Sequence, residues 1–270
     1  MCLNGQDYIK GWGRLTMKEI LGLDEVRSRM LKTIQYMWDS EKDKARISLG
    51  IQPTILLYGR PGTGKTSLMS EIGEVFKSSF GEEDFRLERT DLNSFLSKNL
   101  GESSQNLSEY FEKLSKWSKQ KKRVLVHLDD AESALISRGD DKESKGVFRF
   151  ITTFLNELDS VISSASAFPP VIVISTNVPN LIDPAIVRRF THRFKIDPKL
   201  NPEQLAKLCL DYAKYSPHVV ALLEKDIATH YSWKNHTPHD LCRILETILV
   251  QELSVEDGRA LIFSELEKTE

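Results

Sequence analysis

The segment that most constrains the fold is Gly59–Thr66, which reads Gly-Arg-Pro-Gly-Thr-Gly-Lys-Thr. It fits the pattern G-x-x-x-x-G-K-[ST], and it lies between an apolar run, Thr54–Tyr58, and a stretch with helical periodicity, Thr66–Phe76. Glycines at these spacings let backbone N–H groups turn inward around phosphates, and a helix N-terminus adds partial positive charge. The sequence therefore predicts a strand, turn and helix that together bind a phosphorylated ligand.

The residues of this turn have separate expected tasks. Lys65 is predicted to reach the β- and γ-phosphates of ATP, and the Thr66 hydroxyl to ligate Mg²⁺. A glycine turn without a ligand is the alternative, and the strand before it and the helix after it argue against that alternative. The predicted nucleotide-binding residues of the turn are Gly59, Pro61, Gly62, Thr63, Gly64, Lys65, Thr66 and Ser67.

A second apolar run, Val124–Leu128, ends in two carboxylates. Asp129 is predicted to hold Mg²⁺ through its water shell, and Asp130 to polarise the attacking water. Glutamate is usual at the second position. The shorter side chain of aspartate is expected to affect the rate of hydrolysis and not the binding of nucleotide. Helix capping by the two aspartates is the alternative. His127, inside the run, is interpreted as a core histidine with a hydrogen-bond partner in the sheet.

The overall pattern predicts an α/β fold with a parallel five-stranded sheet flanked by helices, followed by a small all-helical domain. From about Asn201 the strand pattern disappears and four helical stretches follow. We expect a short N-terminal extension over residues 1–18, the α/β domain over 19–199 and the helical domain over 200–270. The predicted strands are Thr54–Tyr58, Phe85–Thr90, Val124–Leu128, Val171–Thr176 and Phe194–Ile196.

Further landmarks follow in the order typical of AAA+ ATPases, and the chain resembles that family from about Ile20 to Leu253. Upstream of the turn, Glu19–Val26 is similar to the segment that packs on adenine, which makes Ile20, Leu21 and Gly22 candidate contacts. Asn177, after the run Val171–Thr176, occupies the position of the residue called sensor 1, which orients the attacking water. The resemblance implies an ATPase that requires ATP and Mg²⁺ and forms a ring of identical subunits, with a hexamer expected.

Leu181–Phe190 resembles the family segment that carries arginine fingers. By that resemblance Arg188 and Arg189 reach the ATP of the neighbouring subunit, where a guanidinium stabilises the charge on the transferred phosphoryl group. A solvated basic turn is the alternative. His239 lies where the family contacts nucleotide from its helical lid, with Arg243 a weaker candidate, and an ordinary N-capped helix explains the same residues equally well.

Two AAA+ subgroups come closest, the ESCRT-disassembling type and the HORMA-remodelling type, including its bacterial anti-phage relatives. Both imply ATP hydrolysis that remodels or regulates a protein partner. A nucleotide-controlled assembly switch that activates an effector, with slow hydrolysis, is the alternative. Ser97–Glu102 resembles the central-pore loop, but Asn99 stands where threading members carry an aromatic residue.

Composition disfavours other classes of partner. The 37 Lys and Arg against 39 Asp and Glu give a net charge of −2, so a nucleic-acid loader is disfavoured. The basic run Lys119–Arg123 is interpreted as a solvated helix end. No stretch approaches the roughly 18 uninterrupted apolar residues that membrane insertion needs. Cys2, Cys209 and Cys242 have neither disulfide nor zinc spacing, which favours a reducing cytoplasmic location.

Overall fold

The computed structural model describes residues 20–97, 101–136, 144–163, 168–232 and 234–266. The predicted extension and positions 98–100 of the predicted pore segment lie outside these ranges. The chain divides into two compact units. One contains Glu25–Arg60 and Leu68–Ile196, and the other contains the described residues of Met1–Asp24, Pro61–Ser67 and Asp197–Glu270. The short segments of the second unit therefore group with the C-terminal helices.

The first unit is built on a five-stranded parallel sheet, as the sequence predicted. Its spatial order is β2-β3-β4-β1-β5, and Leu56 in the middle of β1 pairs with Ile174 of β4. Every residue of β4 is buried, as expected for a central parallel strand covered on both faces. The strands are β1 Thr54–Tyr58, β2 Phe85–Asp91, β3 Arg123–Asp129, β4 Val171–Thr176 and β5 His192–Lys195.

Helices and short 3₁₀ turns surround this sheet. The helix that follows β1 approaches β2 closely, because a Cβ on Gly73 would lie 2.5 Å from Leu87 Cδ2. On β3 and β4, buried aliphatic side chains pack with Phe111, Phe150 and Phe154 in one core. The helices are α1 Asp24–Met37, α2 Asp43–Ser48, α3 Lys65–Phe80, α4 Glu102–Lys119, α5 Ser144–Ser163 and α6 Pro184–Arg189, with 3₁₀ turns at Ser40–Lys42, Leu92–Phe95, Ala131–Ser133 and Pro179–Leu181.

The second unit is helical beyond residue 200, which confirms the predicted lid. Two of its helices begin at capping boxes, one formed by Asn201 with Gln204 and one by Thr237 with Asp240, each with proline at the first helical position. None of the described helices combines the length and apolar content that crossing a bilayer requires. The helices are α7 Pro202–Ala213, α8 Pro217–His230, α9 Pro238–Val250 and α10 Val255–Leu266.

Candidate active site

The predicted phosphate-binding turn has the backbone conformation that its glycines permit. It leaves β1 after Tyr58 and enters α3 at Lys65. Gly62 has φ +73° and Gly64 has φ +90°, a left-handed region that glycine enters without the steric cost of a Cβ. Lys65 is 8% exposed and Thr63 2%. The turn therefore presents mainly backbone, as a phosphate cradle requires.

The space beside Gly62 is closed by the start of α9. A Cβ on Gly62 would lie 3.0 Å from both His239 Cβ and Thr237 Oγ1. Thr237 is held there by its capping box, since its backbone N–H donates to Asp240 Oδ2 at 2.7 Å. The structure thus brings His239, a nucleotide-contact candidate, against the predicted phosphate turn.

The three upstream candidates lie in the same unit as the turn. A Cβ on Gly64 would lie 3.6 Å from Ile20 Cγ2, so Ile20 is beside the turn. Leu21 packs against the core of the helical unit. Gly22 has φ +78°, and its carbonyl accepts a hydrogen bond from Lys199 N at 3.3 Å. This arrangement agrees with a nucleotide contact at Ile20 and a structural position for Leu21 and Gly22.

The predicted magnesium ligands supply the oxygen donors that this ion prefers. Thr66 offers a hydroxyl at the start of α3, and Asp129 a carboxylate at the end of β3. In the part of the chain that the structure describes, three or more His, Cys, Asp or Glu side chains do not gather into a metal site. An ATP-bound magnesium needs no such cluster, because phosphate oxygens and waters complete its shell. Thr66 and Asp129 therefore each offer a type of donor that suits Mg²⁺ bound with a nucleotide.

The Asp129 carboxylate is partly buried and hydrogen-bonded. Its side chain is 30% exposed. Oδ1 accepts hydrogen bonds from the Ser175 hydroxyl and, at 3.1 Å, from the Asp130 backbone N–H. Ser175 was not predicted as a site residue from the sequence. The usable signal was a hydroxyl side chain directly after the apolar run Val171–Ile174.

Asp130 follows in a backbone conformation that few residues other than glycine adopt. Its φ is 50° and its ψ 51°, in the left-handed region that aspartate tolerates better than most. The residue is exposed, and its carbonyl accepts a hydrogen bond from Ser133 Oγ at 2.7 Å. Non-glycine residues held in this region cluster at functional sites. The conformation turns the chain sharply after β3 and leaves an exposed carboxylate there.

Asn177, the sensor 1 candidate, is bonded to Glu132. Glu132 Oε1 accepts hydrogen bonds from Asn177 Nδ2 at 2.7 Å and from the Asn177 backbone N–H at 3.1 Å. Burial alone would raise the pKa of the Glu132 carboxyl, but hydrogen bonds from its own backbone and from Asn177 are among those that hold it below its usual value. Glu132 is therefore an ionised anchor for the Asn177 side chain.

The two finger candidates, adjacent in sequence, have different environments. In the last turn of α6, Arg189 forms a bidentate ion pair with Asp159 of α5, with Nε to Oδ1 at 2.7 Å and Nη2 to Oδ2 at 2.8 Å. Its Nη1 also donates to the Ala185 carbonyl at 3.1 Å. Arg188 is exposed, and its side chain forms no hydrogen bond or ion pair with any described residue. Arg188 is thus available to an external partner while Arg189 is fixed within the chain.

A protein-family model matches more than half of this chain. The model of the family "ATPase family associated with various cellular activities (AAA)" matches residues 55–198, just over half of the chain. The chain belongs to the AAA family. That membership confirms the resemblance drawn from the motifs. The turn, both aspartates, Asn177 and both arginines lie inside the matched region, whereas Ile20 and His239 lie outside it.

Several AAA proteins are similar over most of this chain. Cell division protein C of Sulfolobus acidocaldarius is 28% identical over 201 residues, which are 74% of this chain and 50% of that protein. An "AAA ATPase forming ring-shaped complexes" of Corynebacterium urealyticum is 30% identical over 210 residues, 73% of this chain and 37% of that protein. Human peroxisomal ATPase PEX6 is 31% identical over 176 residues, and the match covers 63% of this chain and 16% of that protein. The chain spans half or less of the length of these relatives.

One solved structure is similar over nearly the whole chain. It is described as the structure of the E. coli MS115-1 HORMA:CdnC:Trip13 complex. The matching chain superposes with a TM-score of 0.75 at 20% identity, covering 90% of this chain and 88% of that one. At this level of identity the similarity shows that the two chains share the AAA fold.

Proposed function

We propose that this AAA protein hydrolyses Mg·ATP as a ring of identical subunits, a hexamer, and uses the cycle to remodel or regulate a protein partner in the cytoplasm. The ATPase activity is proposed from one observation: the turn before α3 has glycines in the left-handed region and leads into a buried Lys65. The names of two similar proteins support a ring and a protein partner: one forms ring-shaped complexes, and the other was solved in a complex with a HORMA protein.

The residues divide the chemistry among them. Backbone N–H groups of the turn and the Lys65 ammonium bind the phosphates, and Thr66 and Asp129 hold the magnesium. Bound Mg²⁺ supplies charge neutralisation at the phosphate oxygens during transfer. Arg188 of one subunit reaches the ATP of the next and stabilises the charge that spreads over the γ-phosphoryl oxygens.

Two carboxylates compete for the role of general base, and position favours Asp130, which directly follows the predicted magnesium ligand Asp129 at the end of β3. A carboxylate that accepts strong hydrogen bonds is a weaker base, and Glu132 Oε1 accepts two from Asn177. Asp130 is exposed at the turn after β3. We therefore assign proton removal from the attacking water to Asp130, and the positioning of Asn177 to Glu132.

This assignment predicts different effects for the two conservative amides. Asp130→Asn should bind ATP normally and lose on the order of 10²-fold or more in turnover, since general-base catalysis contributes about 10²–10⁴-fold. Glu132→Gln, which keeps an acceptor for Asn177, should lose about tenfold or less. Steady-state phosphate release, measured beside nucleotide affinity, checks both. The reverse ranking would assign the base to Glu132.

The predicted pore segment, Ser97–Glu102, bears on whether a partner is unfolded by threading through the ring. Asparagine at position 99 offers a hydrogen bond worth about 1 kcal/mol in water, whereas burial of an aromatic side chain contributes on the order of 1–3 kcal/mol. We expect little or no processive unfolding of a tagged, stably folded substrate. Wild type, Asn99→Tyr and Leu100→Ala should be compared for partner release while ATPase rate is measured separately.

These pore variants also separate remodelling from the second candidate function. Loss of partner release in Leu100→Ala at undiminished hydrolysis would support a pore that grips its substrate. Equal behaviour of all three proteins would favour an assembly switch, in which ATP binding builds the ring and slow hydrolysis resets it. Aspartate in place of glutamate at position 130 is the feature that favours this switch.

A further inference from the structure

A chain of three side chains connects the interior of the sheet to Asp129. His127 Nε2 lies 3.1 Å from Ser175 Oγ, and Ser175 Oγ is hydrogen-bonded to Asp129 Oδ1. His127 and Asp129 are two residues apart on β3, so their side chains share one face of the sheet, and Ser175 lies on the neighbouring strand β4. His127 is 1% exposed and Ser175 is fully buried. Water therefore does not compete for the bond between His127 and Ser175.

The direction of each hydrogen bond follows from the donors available. A carboxylate only accepts, so the single hydroxyl hydrogen of Ser175 goes to Asp129, and Ser175 Oγ must accept from His127 Nε2–H. This requires a proton on His127 Nε2.

The two polar positions interrupt strands that are otherwise apolar. Val124–Leu128 carries His127 as its polar member, and Val171–Ile174 leads directly into Ser175. Leaving a buried polar group without a partner costs about 1–3 kcal/mol, so an apolar pair at these positions would be the simpler core. The arrangement is therefore best explained by what it does to Asp129, which lies at its end.

We propose that Ser175, oriented by His127, is a positioning residue that fixes the Asp129 carboxylate for magnesium binding. The inference rests on the proposed Mg·ATP function and adds to it the residues that set the magnesium requirement. A carboxylate held by a charge-assisted hydrogen bond keeps one orientation, and loss of such supporting bonds at metal sites typically reduces metal affinity by about 10–100-fold.

The test measures how Mg²⁺ tightens the binding of a fluorescent ATP analogue, without turnover. Ser175→Ala should raise the half-saturating Mg²⁺ concentration by about tenfold and leave analogue affinity in EDTA unchanged. Ser175→Thr, which keeps the hydroxyl, should remain within about twofold of wild type. His127→Leu should shift the requirement in the same direction, and adding it to Ser175→Ala should produce no further shift, because His127 acts through Ser175.

Ser118→Ala is the matched control. It removes another buried serine hydroxyl, which donates to the Phe168 carbonyl at 2.9 Å, and should lower stability without changing the magnesium requirement. If Ser175→Ala does not fold, Ser175→Cys keeps the shape with a weaker donor and should show the same shift. A magnesium requirement equal to wild type in folded Ser175→Ala, or in Ser175→Cys if the alanine variant does not fold, would overturn the proposal. A wild-type protein whose analogue binding ignores Mg²⁺ would contradict the proposed function as well.

Discussion

Lys65→Ala is expected to weaken ATP binding by about a hundredfold or more. Lys65 is 8% exposed at the start of α3, where its ammonium would meet the triphosphate out of contact with bulk water. Removing one partner of a buried charge pair costs about 2–5 kcal/mol, and about 3 kcal/mol corresponds to a hundredfold change in affinity. Titration of a fluorescent ATP analogue measures the effect directly.

The same helix supplies the control for this variant. Lys77 is partly exposed and pairs with Glu82 at 2.7 Å, so Lys77→Ala removes an equal charge from α3 away from the predicted turn. Water and salt screen such an exposed ion pair, and nucleotide affinity should not change. If Lys65→Ala binds ATP with an affinity within about threefold of wild type, Gly59–Thr66 is not the phosphate-binding turn.

Arg188→Ala is expected to bind ATP normally and to lose on the order of 10³-fold in turnover. The expectation follows from an exposed guanidinium with no described partner on a segment that matches the arginine-finger region, and such fingers contribute about 10³–10⁵-fold. The measurement is phosphate release at saturating ATP with affinity determined in parallel. Weakened binding with unchanged turnover would contradict the role.

Arg189 and Asp159 provide the matched comparison. Because their bidentate pair fixes α6 to α5, Arg189→Ala and Asp159→Asn should have similar, smaller effects on turnover and lower stability by about 1 kcal/mol or less. If Arg189 is itself a finger, the two variants will differ. Arg189→Ala will lose turnover severely, whereas Asp159→Asn will release the Arg189 guanidinium from its ion pair and keep its turnover. The comparison therefore tests the sequence prediction that both arginines are fingers.

Elements bounded by strong local signals were predictable from the sequence. β1 and β4 have the predicted limits, because each is a buried aliphatic run that ends at a polar turn. β5 was predicted at Phe194–Ile196 but runs from His192 to Lys195. It pairs only with β1 and buries only Phe194 within its limits, so its hydrophobic pattern is too weak to fix its ends. α1 was not predicted, although Met30, Ile34 and Met37 form a buried helical stripe.

The chemical identity of the candidate site was predictable, but its pairings were not. Residue type and spacing predicted the phosphate turn and Asp129, and the resemblance to AAA+ ATPases predicted Asn177. Ser175 and its partner Asp129 are 46 residues apart in the sequence, and Asn177 and Glu132 are 45 residues apart. Arg189 and Asp159 are 30 residues apart. Such partners are set by which strands and helices become neighbours. The structure was therefore needed to distinguish Arg188 from Arg189.

ATP turnover in mixtures of Lys65→Ala and Arg188→Ala subunits tests the shared-site account most directly. Each variant alone should be nearly inactive, for different reasons. In a mixed ring, a subunit with intact Lys65 can receive Arg188 from a Lys65→Ala neighbour. With random assembly at equal proportions, half of the subunits bind ATP and half of their neighbours supply the arginine, so about a quarter of wild-type turnover should return. Turnover that stays at the level of the separate variants at every ratio would contradict a site shared between subunits.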